Sequence, residues 1–151
     1  MIHLHEVAEL IQDRLVDAFE DSEVFDGEIP EITRSWRPVR EPKDVEDLQV
    51  TVVPVAQEST AGTRSKTREV FTVHILIQRR CPDRDSADTL DEFGGDIMRL
   101  FRLTVLTKDG KPVGYVPRAV RTNAFSTEHY DQHQVYTSII TVDVISEGTT
   151  E

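Results

Sequence analysis

The stretch TREVFTVHILIQRR, residues 67–80, decides the fold. Phe71, Val73, Ile75 and Ile77 alternate with Thr72, His74, Leu76 and Gln78. A period of two puts each set on its own face of a β-strand. About a dozen residues at ~3.3 Å each span roughly 40 Å, about twice the usual strand length. Upstream, LQVTVVPVA (48–56) reads as a partner strand: Leu48, Val50 and Val52 alternate with Gln49 and Thr51. Pro54 cannot donate to a ladder, so the outer part of that arm is interrupted or at an edge. QESTAGTRSKT, between the two, reads as a polar loop too long for a tight turn. The expected unit is a long protruding hairpin over 48–80.

The flanks supply helices. In residues 3–22, Leu4, Ala8, Ile11, Leu15 and Phe19 recur every three or four positions, giving one apolar stripe. In 85–104, Leu90, Phe93, Ile97 and Leu100 or Phe101 form a second stripe, with Asp83 or Asp85 able to cap its start. Gly94-Gly95 interrupts that helix, which predicts a kink or a close approach to the sheet, with an assembly hinge as the alternative. IPEITRSWR (29–37), bracketed by Pro30 and Pro38, reads as a short edge strand. Lys108-Asp109-Gly110-Lys111 is a turn, 113–126 and 134–146 are the last two strands, and 147–151 is expected to be a mobile tail. The prediction is one α+β domain over 1–151. It has a mostly antiparallel sheet of about five strands, the protruding hairpin, and two helices packed on one face.

The chain has 151 residues, enough for one real core. No apolar run approaches the ~18 residues of a membrane span. Cys81 is the single cysteine, so no internal disulfide forms, and a reducing cytoplasm is expected for synthesis. With 28 acidic and 17 basic residues the net charge is -11, which disfavours tight duplex binding. No phosphate-binding loop, nucleophile elbow or zinc-type cysteine pair occurs. His129 and His133 lack a third ligand nearby in sequence, and His3, His5 and His74 read as ordinary polar residues. No catalytic residue, metal or cofactor is expected, and the chain reads as a protein other than an enzyme.

Charge arrangement is the positive signal. From Ala61 to Arg68 the only charges are Arg64, Lys66 and Arg68, at the hairpin tip. Asp83, Asp85, Asp88, Asp91 and Glu92 crowd the start of the second helix. An outward hairpin would bring these patches together between neighbouring copies, head to tail, a contact that closes into rings or runs into filaments. A solvated, independent loop is the plain alternative.

The layout resembles the tail terminator, or tail completion, proteins of long-tailed bacteriophages and related neck proteins. The matching segments are EVAELIQDRLVDAF, LQVTVVPVA with its polar loop, REVFTVHILIQRR, DSADTLDEFGGDIMRLF and VYTSIITVDVIS. The arginine-ended strand, acidic spacer and helix carry it most clearly. The resemblance is one of element types and lengths across nearly the whole chain, with no diagnostic motif. It implies a structural virion protein of the tail or neck, assembled in the host cytoplasm. Its partners would be itself, as a ring (a hexamer in that family), the tail tube protein and a head-side connector. DNA would pass through a negative lumen without sequence-specific binding. Another neck component, or a small ligand- or peptide-binding domain, is the alternative.

Overall fold

The computed structural model describes residues 2–21, 23, 28–36, 47–63, 66–80, 84–122 and 135–149. The element order is α1 (Leu4–Phe19), β1 (Glu31–Arg34), β2 (Gln49–Thr63), β3 (Lys66–Arg80), α2 (Arg84–Phe101), β4 (Val105–Lys108), β5 (Lys111–Thr122) and β6 (Val135–Thr149). The strands form one sheet in the order β1-β2-β3-β6-β5-β4. Every neighbouring pair is antiparallel except β1 with β2, which is parallel. The α+β class, the mostly antiparallel sheet and the two helices on one face are as the sequence predicts.

One sheet face carries the core. Val50, Val52, Phe71, Val73, Ile75 and Ile77 are fully buried there, as are Ile140 and Val142 on β6. α1 lays Val7, Ala8, Ile11 and Leu15 on it, and α2 lays Leu90, Phe93, Ile97 and Phe101. Burying one such Leu or Ile side chain fully is worth ~1.5–3 kcal/mol, an upper figure against an extended chain. The helices meet where Phe19 and Phe93 pack edge to face at 5.1 Å. Arg14 of α1 donates from Nε to the Leu100 carbonyl at 3.1 Å. That places a cation at the α2 C-terminus, where the helix dipole favours it.

The polar stretch after Val55 is strand. β2 and β3 pair continuously from Gln49↔Gln78 to Thr63↔Lys66, with irregularities at Pro54/Ala56 and Ala61/Thr63. Polarity misled the sequence reading: Gln57, Glu58, Ser59 and Thr60 lack core contacts, but a long partner strand satisfies their backbone regardless. β6 runs along β3 from Val135↔Arg80 to Thr149↔Lys66. Glu147, Gly148 and Thr149, predicted as tail, are therefore ladder residues, while 150–151 lie outside the described residues.

The sheet has six strands because β4 is present. The apolar stripe predicts a helix to residue 104, but α2 stops at Phe101. Leu103 takes the left-handed φ of 55°, and β4 follows at Val105. The Lys108–Lys111 turn is as expected, with Asp109 and Gly110 at φ 53° and 77°. β1 is an edge strand as predicted, shorter than 29–37.

Candidate functional site

β2, β3 and β6 are each 15 residues long, ~50 Å of extended chain, about three times a usual strand. Their outer thirds leave the helix-covered core together. The protrusion is thus a three-stranded arm rather than a two-stranded hairpin. β1 covers β2 only from Gln49 to Val52. β5 pairs with β6 only from Ile139 to Ile145. Among the described residues the arm is therefore free along both flanks, and Ala56–Ala61 of β2 are all exposed.

The arm has its own polar spine. Glu69, only 7% exposed, accepts a hydrogen bond from Gln57 Nε2 at 2.9 Å and another from Ser59 Oγ at 2.9 Å. Two donors on β2 thus grip one carboxylate on β3 and tie the strands beyond the ladder itself.

Of the predicted tip residues, Lys66 and Arg68 sit on β3 and are exposed. Arg64 lies outside the described residues. The tip is less uniformly basic than the linear sequence reads. Pairing sets Arg68 directly between Thr60 on β2 and Glu147 on β6. Of the predicted acidic acceptors, Asp83 lies outside the described residues and Asp85 falls in the first turn of α2. Asp88, Asp91 and Glu92 are exposed on α2. Asp91 is already engaged, pairing through Oδ1 with Arg121 Nη2 at 2.7 Å. Within one subunit no described ion pair links the arm to these acids.

Gly94-Gly95 resolves into a close approach. Arg121 of β5 reaches across α2 and donates from Nη1 to the Asp91 carbonyl at 2.6 Å. A Cβ on Gly94 would lie 2.6 Å from that nitrogen. The first glycine makes room for the guanidinium. The second is uncrowded: a Cβ there would meet only Arg99, at 3.7 Å, an ordinary contact.

Two concave features flank the helices. An open groove of about 440 Å³ lies between α1 and β4, lined by Leu10, Asp13, Arg14, Leu100 and Leu106 among others. A cleft of about 330 Å³ lies between the end of α2 and β5, with Arg99, Arg102 and Arg118 around Gly95, Met98 and Pro117. The sequence pattern singles out none of these three arginines. Arg99 and Arg102 lie 16 or more positions away from Arg118 in the chain, and only the sheet brings them together. Among the described residues no three His, Cys, Asp or Glu side chains could hold a metal ion. No helix among them is long and apolar enough to cross a membrane. Cys81, His129 and His133 lie outside the described residues. His3 and His5 stack with ring centroids 5.8 Å apart, and His3 Nε2 is 4.0 Å from a Glu6 oxygen.

No family model matches the chain, and no curated protein matches it either. Among solved structures, a chain of the virion of a native gene transfer agent (GTA) particle is similar over 94% of this chain and 95% of its own length. The identity is 9% and the TM-score 0.52. A second solved chain, 15% identical, covers all of this chain with a TM-score of 0.48. The likeness to the virion chain is one of fold, end to end.

Proposed function

We propose that this protein is a structural component of a phage-type virion, acting as a tail terminator. It forms a ring at the head-proximal end of the tail tube and helps join tail to head. The observation that carries the reading is the arm: three long strands projecting past the core, with free flanks and an ordered polar spine. A rigid projection of this kind serves contact with another chain. The fold it shares with a chain of a GTA virion supports the same reading. In a ring, the net charge of -11 would let DNA slide through the lumen with little adhesion. The function is mechanical and includes no catalytic step.

The rival reading is a domain that binds a peptide across the uncovered sheet face. It is weakened because Thr51, Val53, Leu76 and Gln78 on that face are already buried within the subunit. The test is to image purified protein, and native particles that carry it, by electron microscopy, with mass from light scattering. Rings, and density between tail tube and head, are expected. A protein that stays monomeric across concentration and is absent from particles overturns the proposal.

A further inference from the structure

The structure assigns the arginine cleft a partner: the acidic first half of α2 on a second copy. The assignment rests on the ring reading and names the surfaces that would join neighbours in it. α2 is charge-divided along its outer stripe. At ~100° per residue, Asp88, Asp91, Glu92, Arg99 and Arg102 all fall within about 100° of one another, opposite the buried Leu90, Phe93, Ile97 and Phe101. Arg84 opens the helix, but from Asp85 to Glu92 every charge is an acid, and Arg99 and Arg102 follow in the second half, beside Asp96.

Within one copy the two halves do not meet. Asp88 and Arg99 are ~16 Å apart along the axis at ~1.5 Å per residue, and Glu92 and Arg102 ~15 Å. Both spans exceed an ion-pair distance several times over and exceed the ~8 Å screening length at physiological salt. Asp88 and Glu92 make no described ion pair or hydrogen bond. Arg102 likewise has none. Arg99 pairs with Asp96, one turn away, at 2.8 Å, with most of both side chains in solvent. Arg118 reaches Asp143 at 3.8 Å with most of its side chain in solvent.

On a body with a net charge of -11, three arginines around a cleft, against Asp96 and Asp143 beside them, leave it locally positive, with Arg102 the cation that has no described ion pair. Its complement on this chain is the acidic half of α2. Asp91 is held by Arg121, which leaves Asp88 and Glu92, one turn apart and on one face, to enter the cleft. Because donor and acceptor lie at opposite ends of one helix, the contact is head to tail and propagates around a ring or along a filament. The arm tip, with Glu147 beside Arg68, is a poorer match for the same acids.

Two variants test this: Arg102→Glu with Arg118→Glu, and Asp88→Arg with Glu92→Arg. All four side chains are exposed, and circular dichroism checks that each variant folds. Sedimentation velocity then measures assembly of wild type, each variant alone, and an equimolar mixture. Each variant alone should assemble at least tenfold more weakly than wild type. The mixture should recover, since an acidic cleft then faces a basic helix start and the reverse holds at the next contact. Variants that assemble like wild type, or a mixture that does not recover, overturn the assignment and leave the ring reading standing. A wild type that never assembles overturns both. Loss of binding to a duplex DNA probe with assembly unchanged would give the cleft to phosphate and overturn the assignment too.

Discussion

Replacing Gly94 by alanine should fail to stabilise this protein, although glycine in mid-helix is unfavourable. An interior glycine costs a helix ~0.8–1 kcal/mol relative to alanine, so Gly94 and Gly95 offer the same intrinsic gain. Their surroundings differ. At Gly95 the nearest atom to a new Cβ is Arg99 Nη2 at 3.7 Å, an ordinary contact. At Gly94 the Cβ would meet Arg121 Nη1 at 2.6 Å and Cδ at 3.3 Å. Arg121 would have to leave, giving up its bonds to the Asp91 carbonyl and carboxylate. A charge-assisted bond is worth ~1.5–3 kcal/mol, and the exposure of Asp91, at 52%, brings that to ~1–2. Gly94→Ala should therefore come out between neutral and ~1 kcal/mol destabilising. Gly95→Ala should stabilise by ~0.8 kcal/mol, a rise of about 2–3 °C in Tm for a domain of this size. In an Arg121→Ala background the obstacle is gone, and Gly94→Ala should turn stabilising by ~0.8–1 kcal/mol. Thermal and urea unfolding of the four single and double variants reads all of this. If Gly94→Ala raises Tm as much as Gly95→Ala in the wild-type chain, the guanidinium is not held there and the reasoning fails.

Glu69→Ala should loosen the arm while sparing the core. Losing a buried acceptor of two hydrogen bonds costs ~1–3 kcal/mol locally, so hydrogen exchange should quicken at 57–61 and 66–70, with little change at 73–77. Gly114→Ala should destabilise by ~1–3 kcal/mol in urea unfolding, because its Cβ would sit 2.8 Å from Val144 Cγ1 and 3.2 Å from the Ile145 carbonyl oxygen. Burial holds the His74 imidazole below its ordinary value, so the folded state resists its protonation. Its contribution is then fully present above the unfolded value of ~6.5 and is lost as pH falls from there toward the folded one. His74→Gln should lose less Tm than wild type between pH 7.5 and 5; an identical slope would refute the assignment.

What the sequence disclosed followed from burial. β3 was legible because Phe71, Val73, Ile75 and Ile77 need one apolar face, and α1 because Ala8, Ile11 and Leu15 need one stripe. The strand continuation through Gln57–Thr63 was not, since its residues are specified by backbone pairing and leave no hydrophobic period. β4 was hidden because VLTK, residues 105–108, is too short to show an alternation, and the break from α2 depends on one left-handed residue, Leu103. The acidic residues of α2 were visible as a run. The arginine cleft was not, because its members come from a helix and a strand joined only in space. For the glycine pair the sequence predicts a kink or a close approach to the sheet; the crowding is at Gly94 alone, and its visitor, the Arg121 side chain, could not be named from a helix pattern.

The flank of the arm that is free among the described residues also bears on how the chain behaves in solution. An unpaired strand edge invites a second edge, and the simplest offer comes from the same strand on another copy. If two such edges aligned antiparallel through Val55–Ala61, Glu58 would fall opposite Glu58, and parallel in-register stacking would repeat the clash at every layer. One carboxylate at the middle of the exposed edge therefore discourages self-pairing in its best-overlapped registers. The same strand stays open to an edge of different sequence. At high concentration the arm can stay unpaired, selective about its partner through a single charge.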